Sequence, residues 1–189
     1  MCGKPIGTVL IFLGALLAVS QPVSGQKPGK TAKKEVENMV LTSPAFKEGE
    51  IIPRDYTCEG KDLSPPLQWK GVPESTESFA LICDDPDAPG GTWVHWVIWN
   101  IPATASGLPE GLEPEKELKD GTRQGKNDFR RIGYGGPCPP PGPAHRYFFK
   151  LYALDRKLEL RAGATKPELL KAMQGHILAE AHLMGKYKR

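Results

Sequence analysis

The 189-residue chain lacks an excess of either charge. Its 25 lysines and arginines nearly offset its 22 aspartates and glutamates, which leaves a formal net charge of +3. The basic residues concentrate towards the two ends instead of clustering within the middle of the chain. A nucleic-acid-binding face needs clustered Lys and Arg. The composition therefore excludes nucleic acid as a partner and allows at most weak contact with an anionic membrane surface.

Long apolar runs are also missing, with one exception near the N-terminus. Residues 6–19 are apolar, Lys4 is the only charge before them, and the small residues Val23, Ser24 and Gly25 follow. The run is too short for a comfortable membrane span. The pattern predicts a secretory signal peptide over residues 1–25, cleaved near Gly25. We therefore expect an exported protein, periplasmic or secreted.

The remaining chain divides into two parts by composition. Residues 26–38 are polar and Lys-rich and contain Pro28 and Gly29, which predicts a flexible linker. Residues 39–189 alternate short apolar runs with turn signals. They are enough for one domain with a sizeable core.

Cysteine is scarce, with four residues in the whole chain and three after the predicted cleavage. Cys2 precedes the N-terminal apolar run, so it cannot serve as a lipoprotein acylation site. Cys83 ends an apolar run, which predicts a buried and inert thiol. Cys58 and Cys138 lie in Gly/Pro-rich loops and are the plausible disulfide pair in an oxidising compartment. A reduced pair lining a pocket is the alternative.

Amphipathic helices are absent between the apolar runs of the domain, and there is no internal repeat. Short strands at irregular spacing, separated by Pro/Gly loops, favour an antiparallel β-sandwich over a parallel α/β sheet. We expect a long surface loop over residues 103–129. The predicted strands are Val40–Leu41, Leu67–Trp69, Ser78–Cys83, Thr92–Ile101 and Arg146–Leu154.

The C-terminal end has a helical pattern instead. Thr165 and Glu168 have the form of a capping box, and apolar residues recur at three- and four-residue steps as far as Met184. The pattern predicts one helix that ends at Gly185 and covers an edge or end of the sandwich.

The first motif with chemical potential follows the apolar strand that ends at Cys83. Asp84, Asp85 and Asp87 surround Pro86, and the prolines reduce the entropy cost of holding a binding geometry. His95 then lies inside an apolar strand, where strand parity places it on the face of Trp93, Val97 and Trp99. A buried histidine is costly unless it is hydrogen-bonded or opens into a cavity.

The second motif is the loop from Gly135 to Pro143 and the strand after it. Its glycines leave backbone N–H groups unobstructed, as in anion-binding nests. Parity places His145 and Tyr147 on one face, and it points Arg146 the other way as an ion-pair partner for one of the acids. Together the two motifs predict a small preformed cavity lined by carboxylate, imidazole and N–H groups, which suits a phosphate-like head group.

These motifs resemble the phosphatidylethanolamine-binding protein family, in its bacterial and archaeal Raf-kinase-inhibitor-like branch. The resemblance spans roughly residues 39–187 and rests on Asp85–Pro89, His95, Gly136-Pro137, Gly142 and His145–Tyr147. It implies two antiparallel sheets in a β-sandwich, with peripheral helices that include a C-terminal one. The pocket residues that it implies are Asp85, Asp87, His95, Gly136, His145 and Tyr147.

The resemblance also implies a non-catalytic protein without a cofactor. Its ligand would be a phosphate-containing small molecule or a phospholipid head group such as phosphoethanolamine. Eukaryotic members of the family carry a second histidine directly before the residue that matches His95, and this chain has Val94 there. The implied function is therefore anion binding and not kinase regulation. Because imidazole titrates near pH 6.5, we expect anion affinity to rise as the pH falls from about 8 to about 5.5.

Three alternatives come from other functional classes. The protein would instead inhibit or scaffold a protein partner such as a protease, which the family resemblance permits. A hydrolase would use Asp85, His95 and His145 as acid and base, although the sequence contains no Gly-x-Ser-x-Gly motif. The same three residues would also suit a metal site assembled from separate segments.

Overall fold

The computed structural model describes Gly3 and residues 38–189. The predicted signal peptide and linker therefore lie outside the described residues, apart from Gly3 and Asn38. Within the described part of the chain, no helix is long and apolar enough to cross a membrane.

Two antiparallel sheets make up the domain, so the prediction of a mainly β, antiparallel sandwich is confirmed. The elements of the described residues are β1 Val40–Thr42, β2 Leu67–Lys70, β3 Ser78–Asp85, β4 Trp93–Pro102, β5 Gly107–Leu108, β6 Arg123–Gln124, β7 His145–Leu154, α1 Lys166–Met173 and β8 Ile177–Tyr187. One sheet has three strands in the order β1-β2-β5, and the other has five in the order β6-β4-β3-β7-β8. In the same part of the chain, α1 and a short 3-10 helix, Arg54–Tyr56, lie outside the sheets.

Both faces of β3, the central strand of the five-stranded sheet, are buried. Phe79 and Leu81 of β3 join the core that includes Trp69 of the three-stranded sheet. Ala80 and Ile82 point the other way, into a second core that contains Leu169 and Met173 of α1. Side chains alternate between the faces of a strand. The continuous apolar run of β3 therefore reflects a central strand that is covered on both sides.

The prediction of one long C-terminal helix is wrong beyond Met173. The helix ends there, Gly175 adopts a positive φ of 78°, and β8 then pairs with β7 along its length. A four-residue step is also a multiple of two, so Ile177 and Ala181 fit the periodicity of a strand as well as that of a helix. The alternating burial of Ala181, Leu183 and Tyr187 shows that the strand period is the one this segment follows.

The predicted surface loop over residues 103–129 contains two short strands. β5 pairs with β2, and β6 pairs with β4. Gln124 of β6 is fully buried, and its side chain accepts a hydrogen bond from Trp96 Nε1 at 2.9 Å. The same amide donates to the carbonyl oxygens of Glu113 and Glu115. These bonds hold the segment against the five-stranded sheet.

Candidate functional site

A cavity of about 200 Å³ opens where the end of β3 meets the beginnings of β4 and β7. Four of the six predicted site residues line it, namely Asp85, His95, His145 and Tyr147. Pockets for drug-sized ligands occupy roughly 300–1,000 Å³, so this one suits a small head group. The rest of the wall is formed by Ala88, Pro89, Trp93, Phe129, Cys138, Pro139 and Pro140.

A larger and shallower depression of about 760 Å³ lies beside the three-stranded sheet. Its lining includes Gln68, Thr104 and Ser106, and Lys70 is its one ionisable side chain among the described residues. Because it brings no set of titratable groups together, its size does not make it the better candidate.

His145 and Asp85 form a buried pair in the smaller cavity. Nδ1 of His145 lies 2.7 Å from Oδ2 of Asp85, and their side chains are 8% and 4% exposed. Oδ1 of Asp85 accepts a second hydrogen bond, from the backbone N–H of Asp87 at 2.8 Å. Each carboxylate oxygen therefore already accepts from one donor of the protein. Nε2 of His145 is the ring nitrogen left for a ligand.

A register shift in β4 determines the direction of His95. Cys83 pairs with Trp96 and Asp84 pairs with Val94, so His95 is an extra residue in the ladder. Such a bulge re-aims a side chain. The parity prediction that His95 shares a face with Val97 and Trp99 is therefore wrong, since those two belong to the second core. The His95 ring instead packs edge-on against Tyr147 and Phe129, with centroids 5.1 and 5.3 Å away.

The tautomer of His95 is fixed by its partner. Nδ1 lies 2.6 Å from the carbonyl oxygen of Gly135. A carbonyl oxygen only accepts, so Nδ1 carries the proton and the neutral ring keeps a lone pair on Nε2. Burial lowers the pKa of His95, and the Gly135 carbonyl and the charge of Asp85 oppose that effect. The lowered pKa favours the neutral ring.

Tyr147 contributes a buried hydroxyl to the same cavity. Among the described residues, this hydroxyl makes no hydrogen bond of good geometry, and the nearby Asp85 carboxylate offers it only a weak one. Burial raises the pKa of Tyr147, and the negative charge of Asp85 raises it further, so the group stays a protonated donor. A buried hydroxyl without a partner costs about 1–3 kcal/mol. A hydrogen bond from this hydroxyl to a ligand oxygen would remove that cost.

Asp87, the fifth predicted residue, does not line the cavity. Its carboxylate accepts from the backbone N–H and Nε of Arg146, each at 2.9 Å, and from Nη2 at 2.7 Å. These bonds lower the pKa of Asp87 to about 2. Arg146 therefore has the ion-pair role that strand parity suggests, and Asp87 holds the loop by its pairing with Arg146.

Gly136, the sixth predicted residue, also lies outside the cavity lining. Its N–H donates to Oδ1 of Asp62 at 2.6 Å, so this N–H is not available to an anion. A Cβ on Gly136 would lie 2.6 Å from the carbonyl oxygen of Tyr56 and 2.7 Å from Cα of Thr57. Glycine is needed here for close backbone packing and not for an anion-binding nest.

A disulfide fixes the wall of the cavity. Cys58 and Cys138 are bonded, with their Cα atoms 5.4 Å apart, whereas Cys83 is a buried free thiol. The backbone N–H of Cys58 also donates to the carbonyl oxygen of Pro137 at 3.1 Å. The Pro-rich loop is therefore tied to the turn that follows the 3-10 helix.

Sequence reasoning missed the aromatic part of the wall. Phe129 packs edge-on against Trp93 with centroids 5.4 Å apart. Oδ2 of Asp128 accepts the N–H of Val94 at 2.7 Å and thereby fixes this loop to β4. A single aromatic residue inside a charged loop segment was the only available signal for Phe129.

The third acid of the first motif serves the fold. Asp84 is 1% exposed and accepts from Lys150 at 2.9 Å and from Lys166 at 2.5 Å. It does not line the cavity. No group of three or more His, Cys, Asp and Glu side chains within the described residues is arranged to hold a metal ion.

Comparison with known proteins identifies the family of this chain. The family model described as phosphatidylethanolamine-binding protein matches residues 42–188. The chain belongs to the phosphatidylethanolamine-binding protein family. The matched range contains all six predicted site residues.

Similar members of this family come from archaea and bacteria. The chain is 54% identical to a UPF0098 protein of Methanothermobacter thermautotrophicus over 151 residues, which cover 80% of this chain and 99% of the relative. It is 51% identical to one from Pyrococcus abyssi over 156 residues, which cover 81% and 87%.

Two solved structures share the fold. A phosphatidylethanolamine-binding protein homologue from Chlamydia trachomatis has a TM-score of 0.74 and 44% identity, and the match covers 81% of this chain and 99% of that one. The E. coli protein YBCL, described as a member of the mammalian PEBP family, has a TM-score of 0.75 and 37% identity, with 80% and 99% covered.

Proposed function

We propose that this chain is an exported, non-catalytic binding protein whose cavity holds a small oxyanion. The ligand is the phosphate group of a small molecule or of a phospholipid head group such as phosphoethanolamine. The observation that carries the proposal is the buried His145–Asp85 pair, which lines the cavity together with Tyr147 and leaves Nε2 of His145 for a ligand.

The polar groups of the cavity complement an oxyanion. The Tyr147 hydroxyl donates to one ligand oxygen, and Nε2 of His145 donates to another when that imidazole is protonated. Asp85 then serves as the counter-ion of the imidazolium, which makes its hydrogen bonds charge-assisted. A cavity of about 200 Å³ leaves the acyl chains of a diacyl lipid outside.

An ethanolamine ammonium group would lie at the aromatic rim. The Asp85 oxygens already accept from His145 and from the N–H of Asp87. Trp93, which lines the cavity and is 38% exposed, supplies an indole ring that attracts a cation, whereas the Phe129 ring already has the Arg131 guanidinium over it at 5.4 Å. The phosphate would thus lie deep in the cavity and the ammonium near its mouth.

The composition of the wall supports the non-catalytic assignment. Among the described residues that line the cavity, none is serine or threonine, and Cys138 is bonded to Cys58. The His145 imidazole is therefore not paired with a serine, threonine or free cysteine nucleophile.

Export rests on the sequence pattern of residues 1–25, and N-terminal sequencing of protein recovered from the periplasm and medium tests it.

The binding proposal is tested by replacing Tyr147→Phe and measuring phosphoethanolamine affinity by calorimetry. Loss of one hydrogen bond is worth about 0.5–1.5 kcal/mol, which corresponds to a roughly 2- to 13-fold weaker affinity. Tyr152→Phe is the matched control, because Tyr152 lies on the same strand but joins the second core. Equal affinity of the Tyr147→Phe variant and the wild type would contradict the proposed site.

A further inference from the structure

The His95 imidazole presents an acceptor to the cavity where an anion-binding site would ordinarily present a donor. Its Nδ1–H is committed to the Gly135 carbonyl at 2.6 Å, so the neutral ring keeps only the Nε2 lone pair for a ligand. The tautomer cannot reverse without placing a lone pair against the carbonyl oxygen. A fully ionised oxygen facing Nε2 would likewise place two lone pairs against each other.

The surroundings of His95 determine how readily the ring gains a second proton. Asp85, Asp128 and Asp84 carry the negative charges that favour protonation, and the Gly135 carbonyl also favours it. Burial opposes all of these, and the ring is 2% exposed and enclosed by the rings of Tyr147 and Phe129. The largest of these effects is burial, which lowers the pKa of His95.

A ligand that carries its own proton satisfies this acceptor. The monoanion of a phosphomonoester has one P–OH group, which donates, and ionised oxygens, which accept from Tyr147 and from a protonated His145. A sulfate monoester has the same charge and shape but carries no O–H at any pH near neutrality. Sites that require a hydrogen-bonding partner reject analogues lacking it, because a buried polar group is then left unpaired.

We propose that His95 is a specificity-determining residue that selects oxyacids retaining an O–H group, in particular phosphomonoester monoanions, over equally charged oxyanions without one. This inference rests on the proposed function of the cavity. It names the chemical class of the ligand, and it assigns the discrimination to the hydrogen bond between His95 and Gly135.

The test compares methyl phosphate with methyl sulfate on the full chain at pH 5.5 by calorimetry. The second pKa of a phosphomonoester is about 6, so at pH 5.5 both probes are mainly single anions and differ by one proton. We expect methyl phosphate to bind at least about tenfold more tightly, a difference of about 1.4 kcal/mol. Its advantage over methyl sulfate should fall between pH 6 and pH 8 as the P–OH ionises, whereas loss of the imidazole proton weakens both probes.

Two variants separate a specific role of His95 from a general one. His95→Gln places an amide near the position of Nε2 that can donate or accept, and the preference should shrink to less than about threefold. Tyr147→Phe should weaken both probes alike and keep the preference. If His95→Gln fails to fold, the wild-type preference and its pH dependence decide the question without it.

The outcomes distinguish this inference from the proposed function. Equal affinity for the two probes, or tighter binding of methyl sulfate, overturns the role of His95 while anion binding stands. Binding of neither probe overturns the proposed function and the inference with it. A tenfold preference that survives in His95→Gln also overturns the assignment to His95.

Discussion

Removal of the Cys58–Cys138 disulfide is expected to destabilise the domain by about 4.5 kcal/mol. The two cysteines are separated by 80 positions, and the chain-entropy model for a loop of that length gives about 15 cal/mol/K, or about 4.5 kcal/mol at 25 °C. Native geometry should persist, because Cys58 N–H still donates to the Pro137 carbonyl and the Tyr134 hydroxyl still donates to the Tyr56 carbonyl at 2.9 Å. The cost therefore arises mainly in the unfolded chain.

Urea unfolding of the Cys58→Ser/Cys138→Ser variant against the oxidised wild type measures this cost. Both cysteines are exposed, so serine introduces no buried polar group. Wild type unfolded with a dithiol reductant present is the matched control, and it should agree with the variant to within about 1 kcal/mol. The m-value should rise, because an unfolded chain without the cross-link exposes more surface. A loss below about 1 kcal/mol with an unchanged m-value would refute the reasoning.

Two further predictions concern the loops around the cavity. Gly136→Ala should destabilise the protein by about 1–3 kcal/mol, because its Cβ would lie 2.6 Å from the Tyr56 carbonyl oxygen. Gly90→Ala is the control in the same urea assay, because its Cβ would meet nothing within 4 Å. Equal stability of the two variants would contradict the packing argument. Asp87 has a folded-state pKa of about 2, below its unfolded value of about 3.9. Its pairing therefore stabilises the fold above pH 4, and this stabilisation is lost as the pH falls from about 4 to about 2. Asp87→Asn should flatten the dependence of the free energy of unfolding on pH over that window. An unchanged pH dependence in the variant would contradict this account.

Much of the fold could be predicted from local patterns. β3, β4 and β7 are long apolar runs bounded by Pro and Gly, and runs of that kind indicate buried strands. β8 could not be recognised in the same way, because Ile177 and Ala181 are spaced in a manner that suits a helix and a strand equally. Its pairing with β7 is a tertiary contact, and no local periodicity reports it.

The site could be predicted where titratable side chains stand beside a recognisable Pro/Gly-rich loop. Asp85 ends β3 and His145 begins β7, and the Pro/Gly-rich loops beside them indicated both as site residues; the structure joins them at 2.7 Å although 60 positions separate them. The bulge at His95 depends on the register between strands, which the sequence of one strand does not encode. The hydrogen bond from the Gly136 N–H to Asp62 joins residues 74 positions apart, and no motif at Asp62 indicates it. The loop that resembles an anion-binding nest therefore binds the protein's own carboxylate.

An NMR titration of the isotope-labelled protein with phosphoethanolamine, phosphate and acetate tests the central claim most directly. The account predicts shifts confined to the side-chain resonances of His95, His145 and Trp93 and to amides of the cavity wall. Phosphate-bearing ligands should bind with higher affinity than acetate. Absence of shifts at these positions, or shifts concentrated at the depression beside Lys70, would contradict a small-anion site in this cavity.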